Sequence, residues 1–473
     1  MSFPTYSSYD ELLAAIDAGA GGREILNPAT GERVGYADTD SVEDLNAAVG
    51  RAREAFASFG ATSHEERSAM LNAAADAIEA NAEPLAELLS REQGKPLNGP
   101  NARFEVGACS AWLRATASFE LAPEVVVDDG ETYSTMTYRP IGVVGAIGPW
   151  NWPMMITVWQ VAPALRMGNP VVVKPSEYTP LSVKALIHLI ATAVPEGVLN
   201  YVSGDRELGA ALSTHEDVDK IMFTGSTATG QKIIEASAPT YKRLTLELGG
   251  NDAGVVLDDV DPKAIAEGLF WGAFINTGQT CAALKRLYVP ESIYDEVVDA
   301  LAEFAANVPM GEGMDENNVL GPLQNKAQFD IVADLVQKAK DSGARIVMGG
   351  DPEEGQKGYF YPTTLVADID PGNALVVEEQ FGPALPIVRY STIDEAVEMA
   401  NSLDVGLGSS VWSANRERAL SVAERLHAGT TWINNHGAVD PRIPFGGVGH
   451  SGYGVEFGVE GLKGLGQPHV ITG

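Results

Sequence analysis

Apolar residues recur at helical spacing through the first part of the chain. Ser41 and Asp44 form a capping-box pattern, and the apolar stripe that follows reaches Phe56. The same spacing returns at 70–78 and in later segments. We therefore predict that residues 41–118 are mainly helical.

The pattern changes to strand-like alternation between Val125 and Tyr138. Two alternating runs flank an acidic Asp-Asp-Gly-Glu turn, which predicts a β-hairpin. A hairpin between a helical region and the next domain either serves an interface with another subunit or lies on the plain surface.

Short apolar runs then alternate with amphipathic segments, a pattern typical of βαβ units on a parallel, doubly wound sheet. The predicted strands are 142–147, 170–173, 199–203, 220–223 and 243–248, with helices at 154–167, 181–194, 208–212 and 227–237. A second α/β region is predicted, with helices at 261–275, 291–306 and 326–342 and strands at 286–289, 345–348 and 385–389.

Residues 141–165 carry no charged side chain and are long enough to span a bilayer. Pro149, Pro153 and Pro163 would interrupt a spanning helix and leave backbone groups unpaired in lipid. We interpret the segment as a buried strand, a loop and a helix, and we expect no membrane partner.

The composition changes this picture in two ways. A chain of 473 residues is too long for one core, so two or three domains are expected. Its formal net charge of -32 argues against nucleic acid and anionic membranes as partners. Because the acidic residues are dispersed along the chain, we hypothesise adaptation to high salt.

The two cysteines, Cys109 and Cys281, provide no disulfide framework and suit a reducing compartment. The N-terminus shows no signal-peptide pattern, so a cytoplasmic location is expected. Cys109 lies in an apolar helical run typical of a buried, inert thiol. Cys281 follows a Thr-Gly-Gln-Thr turn and is either a small core residue or a thiol presented to a cleft.

Four further motifs carry candidate chemistry, and each has a simpler reading. Gly225 and Ser226 open a helix, where backbone amides bind phosphate, or they form a plain turn. Gln231 stands where a P-loop needs its lysine, which argues against ATP hydrolysis.

Lys174 and Glu177 follow a strand, where they could bind ribose hydroxyls or form an exposed ion pair. Glu247, in an apolar strand, is either a base with a raised pKa or a solvent-facing carboxylate. Asn151 could donate to an oxyanion or cap a turn.

The order of these motifs resembles that of the NAD(P)-dependent aldehyde dehydrogenase superfamily over nearly the whole chain. The resemblance rests on Gly148-Pro-Trp-Asn-Trp-Pro153, Lys174-Pro-Ser-Glu177, Phe223-Thr-Gly-Ser226, Leu246-Glu-Leu-Gly-Gly250, Gly278-Gln-Thr-Cys281, Glu379-Gln-Phe-Gly-Pro383 and Pro444-Phe-Gly-Gly447. It implies an α/β, aldehyde dehydrogenase-like fold, with a Rossmann-type cofactor domain, an α/β catalytic domain and a small β oligomerisation hairpin.

The resemblance also implies a mechanism. Cys281 would attack the aldehyde, Asn151 and the Cys281 backbone amide would hold the oxyanion, and Glu247 would activate water to hydrolyse the thioester. Members that transfer the acyl group to coenzyme A generally lack this glutamate, so the free acid is the expected product.

By the same resemblance, the cofactor would be NAD, with NADP possible, because the Glu177 carboxylate would repel a 2′-phosphate. The residues implied in binding it are Trp150, Lys174, Glu177, Gly225, Ser226, Glu379 and Phe381.

The substrate tunnel implied by the resemblance is mostly apolar and aromatic, which favours medium-sized neutral aldehydes. Its implied residues are Trp152, Trp159, Thr280, His436 and Val439. Trp152 replaces a more common Phe or Tyr, and His450 replaces a frequent lysine. His436 and Arg442 are the candidate polar handles, so a carboxylate-bearing semialdehyde bound by Arg442 is the alternative.

Matching to the family's architecture gives a cofactor domain of 1–119 and 142–248, a catalytic domain of 249–448, and oligomerisation segments and tail at 120–141 and 449–473. A homodimer or homotetramer is expected. No metal is predicted, since the histidines lack ligand spacing. The alternatives are a cysteine hydrolase, a non-catalytic relative and a coenzyme A-acylating dehydrogenase.

Overall fold

The computed structural model describes residues 3–473, so Met1 and Ser2 of the predicted first segment lie outside the described residues. The N-terminal region is mainly helical, as predicted from residue 41. Its elements are α1 (Tyr9–Ile16), β1 (Arg23–Leu26), β2 (Arg33–Ala37), α2 (Val42–Phe59), α3 (His64–Glu79), α4 (Ala82–Gln93) and α5 (Ala102–Ser118). The Ser41 capping box is present, with Asp44 as its partner.

The predicted hairpin is confirmed as an antiparallel pair. It consists of β3 (Glu124–Asp128) and β4 (Tyr133–Pro140), and the C-terminal strand β20 (Gly466–Thr472) pairs antiparallel with β4. Every residue of β3 is exposed, including Val125, Val126 and Val127. The hairpin and the chain's own C-terminus therefore form one three-stranded sheet with an exposed apolar edge.

The predicted βαβ alternation is confirmed. It comprises β5 (Val144–Ile147), α6 (Pro153–Arg166), β6 (Val171–Lys174), α7 (Pro180–Ala191), β7 (Leu199–Tyr201), α8 (Arg206–Thr214), β8 (Lys220–Thr224), α9 (Thr227–Ser237) and β9 (Arg243–Glu247). The segment 141–165 is a buried strand, loop and helix, as interpreted. Among residues 3–473, no helix is long and apolar enough to cross a membrane.

The second α/β region contains more strands than the sequence pattern predicts. Its elements are β10 (Asp252–Val256), α10 (Pro262–Phe274), β11 (Leu284–Pro290), α11 (Tyr294–Ala305), α12 (Lys326–Asp341), β12 (Arg345–Met348), β13 (Thr364–Ala367), α13 (Ala374–Val377), β14 (Ala384–Tyr390), α14 (Ile393–Ala400), β15 (Val405–Gly406), β16 (Gly408–Trp412), α15 (Arg416–Ala423), β17 (Thr430–Ile433), β18 (Val448–Gly449), β19 (Gly452–Tyr453) and α16 (Gly458–Lys463).

Two large sheets form the frame of the molecule. One has the order β19-β9-β8-β5-β6-β7, and the other β12-β13-β14-β11-β10-β16-β17. Both are parallel except at one edge, where β19 pairs with β9 and β12 with β13 in antiparallel fashion. Helices cover the parallel strands, and the strands at the centre of each sheet, such as β5, β8 and β10, are buried along their whole length. The predicted α/β architecture with two sheet regions is confirmed.

Candidate active site

The Cys281 loop begins with a strained turn after α10. Asn276 and Thr277 have φ values of 51° and 58°, in the left-handed region that residues with a Cβ rarely adopt. Gly278 follows with φ 75°, and a Cβ there would lie 2.2 Å from the carbonyl oxygen of Gly382. Only glycine allows this approach. The turn therefore packs the Cys281 loop directly against the Glu379–Pro383 loop.

Side chains hold this loop from several directions. The Gln324 amide donates to Gln279 Oε1 at 2.8 Å, and Thr277 Oγ1 donates to the Gly321 carbonyl at 3.0 Å. Lys285 Nζ donates to the Gly278 carbonyl at 2.7 Å. The strained turn is thus stabilised by buried hydrogen bonds, which is what a conformationally costly loop requires.

The two cysteines differ as the sequence suggests. Cys109 is buried in α5, whereas Cys281 is partly exposed. Desolvation, together with the negative charges of Glu247, Asp252 and Glu379, raises the pKa of the Cys281 thiol to about 12. The thiol therefore needs a base to remove its proton near neutral pH.

Asn151 lies in the loop between β5 and α6 and meets the Cys281 loop. Its Nδ2 donates to the Gln279 carbonyl at 3.0 Å. Its own carbonyl accepts from Asn276 Nδ2 at 2.9 Å and from Lys95 Nζ at 2.8 Å. The side-chain amide is therefore held buried beside the residues that precede Cys281.

Glu247 ends β9 and is 4% exposed, so it is not the solvent-facing carboxylate of the simpler reading. Neither of its carboxylate oxygens has a hydrogen-bond partner among the described residues. Desolvation, and then the charge of Glu456, raise its pKa well above the usual range. A buried, unpaired carboxylate of this kind suits a general base.

Glu456 is a site residue that the sequence reasoning missed. It is buried in the C-terminal segment that pairs β19 with β9, and its backbone pairs with Phe445. Desolvation raises its pKa to about 7, against the opposing effect of Lys220. The available signal was a lone acid inside the apolar, glycine-rich run at 452–458.

The predicted nucleotide residues gather at the carboxyl ends of β5, β6 and β8, where open α/β sheets bind ligands. Lys174 is buried, and its Nζ donates to the Pro175 carbonyl at 2.9 Å. Desolvation lowers its pKa, with Glu177 opposing that shift. Glu177 is half-buried, so the pair is not simply an exposed surface ion pair.

The structure corrects one part of the glycine-motif prediction. The Gly225 amide donates to the Glu247 carbonyl at 3.0 Å, so it is not available to a phosphate. Ser226 is the N-cap of α9, and its Oγ accepts from the Thr229 amide. A phosphate at this turn would therefore meet the N-terminus of α9 rather than the Gly225 amide.

Glu379, Phe381 and Trp150 meet at the boundary between the two sheets. The Trp150 and Phe381 rings lie edge to face with centroids 5.4 Å apart, and Phe381 has a strained φ of 45°. Glu379 Oε1 accepts weakly from the Gly250 amide at 3.3 Å, and desolvation raises its pKa to about 7, with Lys285 opposing. The Glu379 carboxylate can accept further hydrogen bonds, and it lies beside Gly250, just past the carboxyl end of β9. It is therefore suited to bind the ribose hydroxyls of a dinucleotide.

The predicted tunnel residues fall into an apolar group. Trp152 donates from Nε1 to Thr280 Oγ1 at 2.9 Å, which ties this tryptophan to the Cys281 loop. Trp159 lies 4.7 Å from Phe457 and 5.6 Å from Trp112, measured between ring centroids. Trp112 and Phe457 were not predicted, because they lie far from Trp159 in the sequence and contact it only in the folded structure. Val439 packs against the same hydrophobic cluster.

The structure places the two predicted polar handles in different surroundings. His436 is buried, and its Nδ1 lies 2.9 Å from Ser410 Oγ while its Nε2 lies 3.5 Å from Asp252 Oδ2. His436 is thus part of the buried core next to Ser410 and Asp252. The Arg442 side chain is 77% exposed and paired with Asp440. The His436 ring centroid lies 5.2 Å from that of Trp432, and its Nε2 has no hydrogen-bond partner among the described residues, whereas Arg442 is paired at the surface.

Among residues 3–473, no group of three or more His, Cys, Asp or Glu side chains could hold a metal ion. The candidate active site contains one thiol, buried carboxylates and a side-chain amide.

Comparison with known proteins identifies this arrangement. The profile of the aldehyde dehydrogenase family matches residues 16–470. The geranial dehydrogenase of Castellaniella defragrans is 40% identical over 93% of this chain and 92% of its own length.

Two solved structures are similar throughout. The NAD+ complex of an aldehyde dehydrogenase from Bacillus cereus has a TM-score of 0.91 at 35% identity, covering 95% of this chain and 92% of that chain. An NADP-dependent enzyme of E. coli has a TM-score of 0.92 at 31% identity, covering 95% and 94%. These likenesses confirm the predicted fold class and the use of NAD(P). This chain belongs to the aldehyde dehydrogenase family and is an NAD(P)-dependent enzyme that oxidises aldehydes.

Proposed function

We propose that this enzyme oxidises a medium-sized neutral aldehyde to the free acid, with Cys281 as nucleophile and Glu247 as general base. The observation that carries the proposal is the buried Glu247 carboxylate, which lacks a hydrogen-bond partner among the described residues and influences the Cys281 thiol electrostatically. An unpaired buried carboxylate is costly to fold, which supports a role in catalysis.

In the first half of the reaction, Glu247 accepts the thiol proton and Cys281 sulfur bonds to the aldehyde carbon. An amide NH2 carries two hydrogens, so Asn151 can donate one to Gln279 and the other to the new oxyanion. The Cys281 backbone amide is the second donor. When bound, NAD(P) would supply the hydride acceptor, and loss of hydride from the former aldehyde carbon would leave a thioester on Cys281.

In the second half, Glu247 has released the first proton to solvent, and it accepts a proton from water as the water oxygen bonds to the thioester carbon. The carbon–sulfur bond then breaks, the carboxylic acid leaves, and Glu247 returns its proton to the sulfur, which restores the Cys281 thiol. Transfer to coenzyme A would need no base to activate water at this step. The buried Glu247 therefore supports hydrolysis over acyl transfer.

The residues that would hold the cofactor are Glu379 for the nicotinamide ribose, Phe381 and Trp150 beside it, Lys174 and Glu177 for the adenosine ribose, and Ser226 at the pyrophosphate. Gly225 would leave room for the cofactor because it has no side chain, since its amide already donates to the Glu247 carbonyl. Glu177 favours NAD over NADP, since its carboxylate would repel a 2′-phosphate.

The apolar surroundings of Trp159 and Val439 support a neutral, apolar substrate. Geranial, named for the 40% identical relative, is an apolar aldehyde and belongs in the first substrate panel. The semialdehyde alternative has lost its main support, because Arg442 is exposed and paired with Asp440.

The decisive experiment compares Cys281→Ala with Cys109→Ala, the matched loss of the other thiol. We expect Cys281→Ala to abolish aldehyde-dependent NADH formation, measured by absorbance, and Cys109→Ala to retain it in the folded fraction. Product analysis with and without coenzyme A completes the test. Activity in Cys281→Ala, or an absolute requirement for coenzyme A, would overturn the proposal.

The domain limits 1–119 with 142–248, and 249–448, belong to the same proposal. So does assembly into a homodimer or homotetramer through 120–141 and 449–473. The exposed valines of β3 and the exposed Val470 and Ile471 of β20 support this, since exposed apolar strands favour association. Sedimentation of the wild type and of Val126→Lys would test it, with dissociation of the variant expected.

High-salt adaptation is likewise proposed, from the net charge of -32. Salt screens repulsion between surface carboxylates, so the melting temperature should rise between dilute buffer and molar salt. An unchanged melting temperature across that range would contradict a halophilic origin.

A further inference from the structure

Lys95 and Glu105 form an ion pair that is completely enclosed by the protein. Their side chains are 0% exposed, and Lys95 Nζ lies 2.5 Å from Glu105 Oε2. Burial lowers the pKa of Lys95 to about 8, with Glu105 opposing, so Lys95 remains largely protonated at neutral pH. Buried ion pairs contribute little net stability compared with apolar residues of similar size. The role of the Lys95–Glu105 pair is therefore indicated by the groups that it contacts rather than by its net stability.

Each member of the pair forms hydrogen bonds with the segment that carries Asn151. Glu105 Oε1 accepts from the Met154 and Met155 amides at 2.9 and 3.1 Å, at the N-terminus of α6. Lys95 Nζ donates to the Asn151 carbonyl at 2.8 Å. The α6 N-terminus has no side-chain cap from its own N-cap residue, Trp152, so Glu105 takes over that task from another helix.

The same pair also reaches the Cys281 loop. Lys95 Nζ lies 3.6 Å from the centroid of the Trp152 ring, and Trp152 Nε1 donates to Thr280 Oγ1. The Asn151 carbonyl that accepts from Lys95 also accepts from Asn276 Nδ2. The charge pair thus fixes the position of the Asn151 loop relative to the residues on either side of the strained turn.

We propose that Lys95 and Glu105 are positioning residues that hold the Asn151 amide where it can donate to the oxyanion on the substrate. This inference rests on the proposed function, because it assigns the pair an effect on catalysis through Asn151. It predicts that the catalytic effect of Lys95 disappears once the Asn151 side chain is removed.

The test is a double-mutant cycle with Lys95→Met, Asn151→Ala and the double variant. Asn151→Ala alone should lower kcat/KM about 10²–10³-fold, the usual cost of losing an oxyanion donor. Lys95→Met alone should lower it by up to about 10²-fold, because a small misplacement of a donor is costly. In the Asn151→Ala background, Lys95→Met should change kcat/KM by about twofold or less.

Lys242→Met is the matched buried control, because Lys242 Nζ also binds backbone carbonyls, those of His215 and Val218. Its kcat/KM should fall equally little in both backgrounds. The Kd for NADH, measured by fluorescence, should stay within about twofold of wild type in the Lys95 variant, since its effect is on the oxyanion and not on the cofactor.

Equal losses for Lys95→Met in both backgrounds, or no loss in either, would overturn the inference. If Lys95→Met does not fold, Glu105→Gln decides by the same criterion, because it keeps an acceptor for the α6 amides while removing the charge that faces Lys95. A near-normal kcat/KM for Asn151→Ala itself would instead refute the proposed role of Asn151. The two failures are therefore distinguishable.

Discussion

Glu105 and Glu247 are both buried glutamates close to the Cys281 loop, yet their surroundings are opposite. Glu105 accepts two backbone N–H groups and the Lys95 ammonium, so both its oxygens are paired. Glu247 has no partner for either oxygen among the described residues, and another acid, Glu456, lies near it.

The difference separates two uses of a buried carboxylate. A fully paired carboxylate fixes the geometry of the groups that it binds. An unpaired carboxylate in an apolar environment holds its proton more tightly and keeps its lone pairs free for a reactant. We therefore expect substitutions in the first region to act on stability and on the position of Asn151, and those in the second to act directly on the chemistry.

The largest expected effect is on turnover in Glu247→Gln. Steady-state oxidation should fall by about 10²–10⁴-fold, the usual contribution of a general base. If Cys281 still reaches the thioester, rapid mixing should show a burst of NADH followed by a stall. Full steady-state activity in this variant would show that Glu247 is not the general base, although its carboxylate is buried and unpaired.

Breaking the paired region should cost stability in addition to its effect through Asn151. Removing one partner of a buried ion pair leaves the other charged and uncompensated, so Lys95→Met should lower the free energy of unfolding by about 3–5 kcal/mol. Urea unfolding followed by circular dichroism measures this. Lys95→Met combined with Glu105→Leu should recover part of the loss, and a double variant as unstable as the single one would contradict the explanation.

The acid pair predicts a pH dependence of activity. Since burial and the charge of Glu456 raise the pKa of Glu247, the rate should rise as pH increases above the ordinary range of a carboxyl group. Replacing Glu456 by Gln removes one cause of the shift, so the rising limb of the kcat/KM profile should move to lower pH. An unmoved limb would show that Glu456 does not act on the base.

Glu456 also predicts a pH dependence of stability. Its native pKa of about 7 lies above the ordinary carboxyl value of 4.5, so between these values the native state binds more protons than the unfolded state. Stability contributed by this group is therefore present at low pH and lost as pH rises through that window. Glu456→Gln should flatten the loss, which melting temperatures measured from pH 4.5 to 7.5 would detect.

The smallest effect is expected at the surface. Lys338 forms an exposed i,i+4 pair with Asp334 in α12, and such pairs contribute about 0.3–0.5 kcal/mol. Lys338→Met should therefore change the free energy of unfolding by no more than about 1 kcal/mol, measured in the same urea experiment. If Lys338→Met lowered the free energy of unfolding as much as Lys95→Met does, burial of the ion pair would not explain the cost of Lys95→Met.

Much of the frame was predictable because it is encoded locally. The βαβ alternation between 142 and 248 is confirmed, since each strand and helix has its own periodicity. In the second region β10, β13, β16 and β17 were missed. These are short runs, fully or partly buried within their sheet, and periodicity alone does not separate them from turns or helix segments.

The sequence by itself determined the motifs that contain Cys281, Glu247 and Asn151, because each motif is a continuous run of residues. Only the tertiary structure brought Lys95 to the Asn151 carbonyl across 56 residues, and it paired Glu247 with Gly452 across the edge of a sheet. It also buried His436 and left Arg442 exposed. Burial and pairing depend on contacts between distant segments, and such contacts decide whether a polar side chain is structural or free for chemistry.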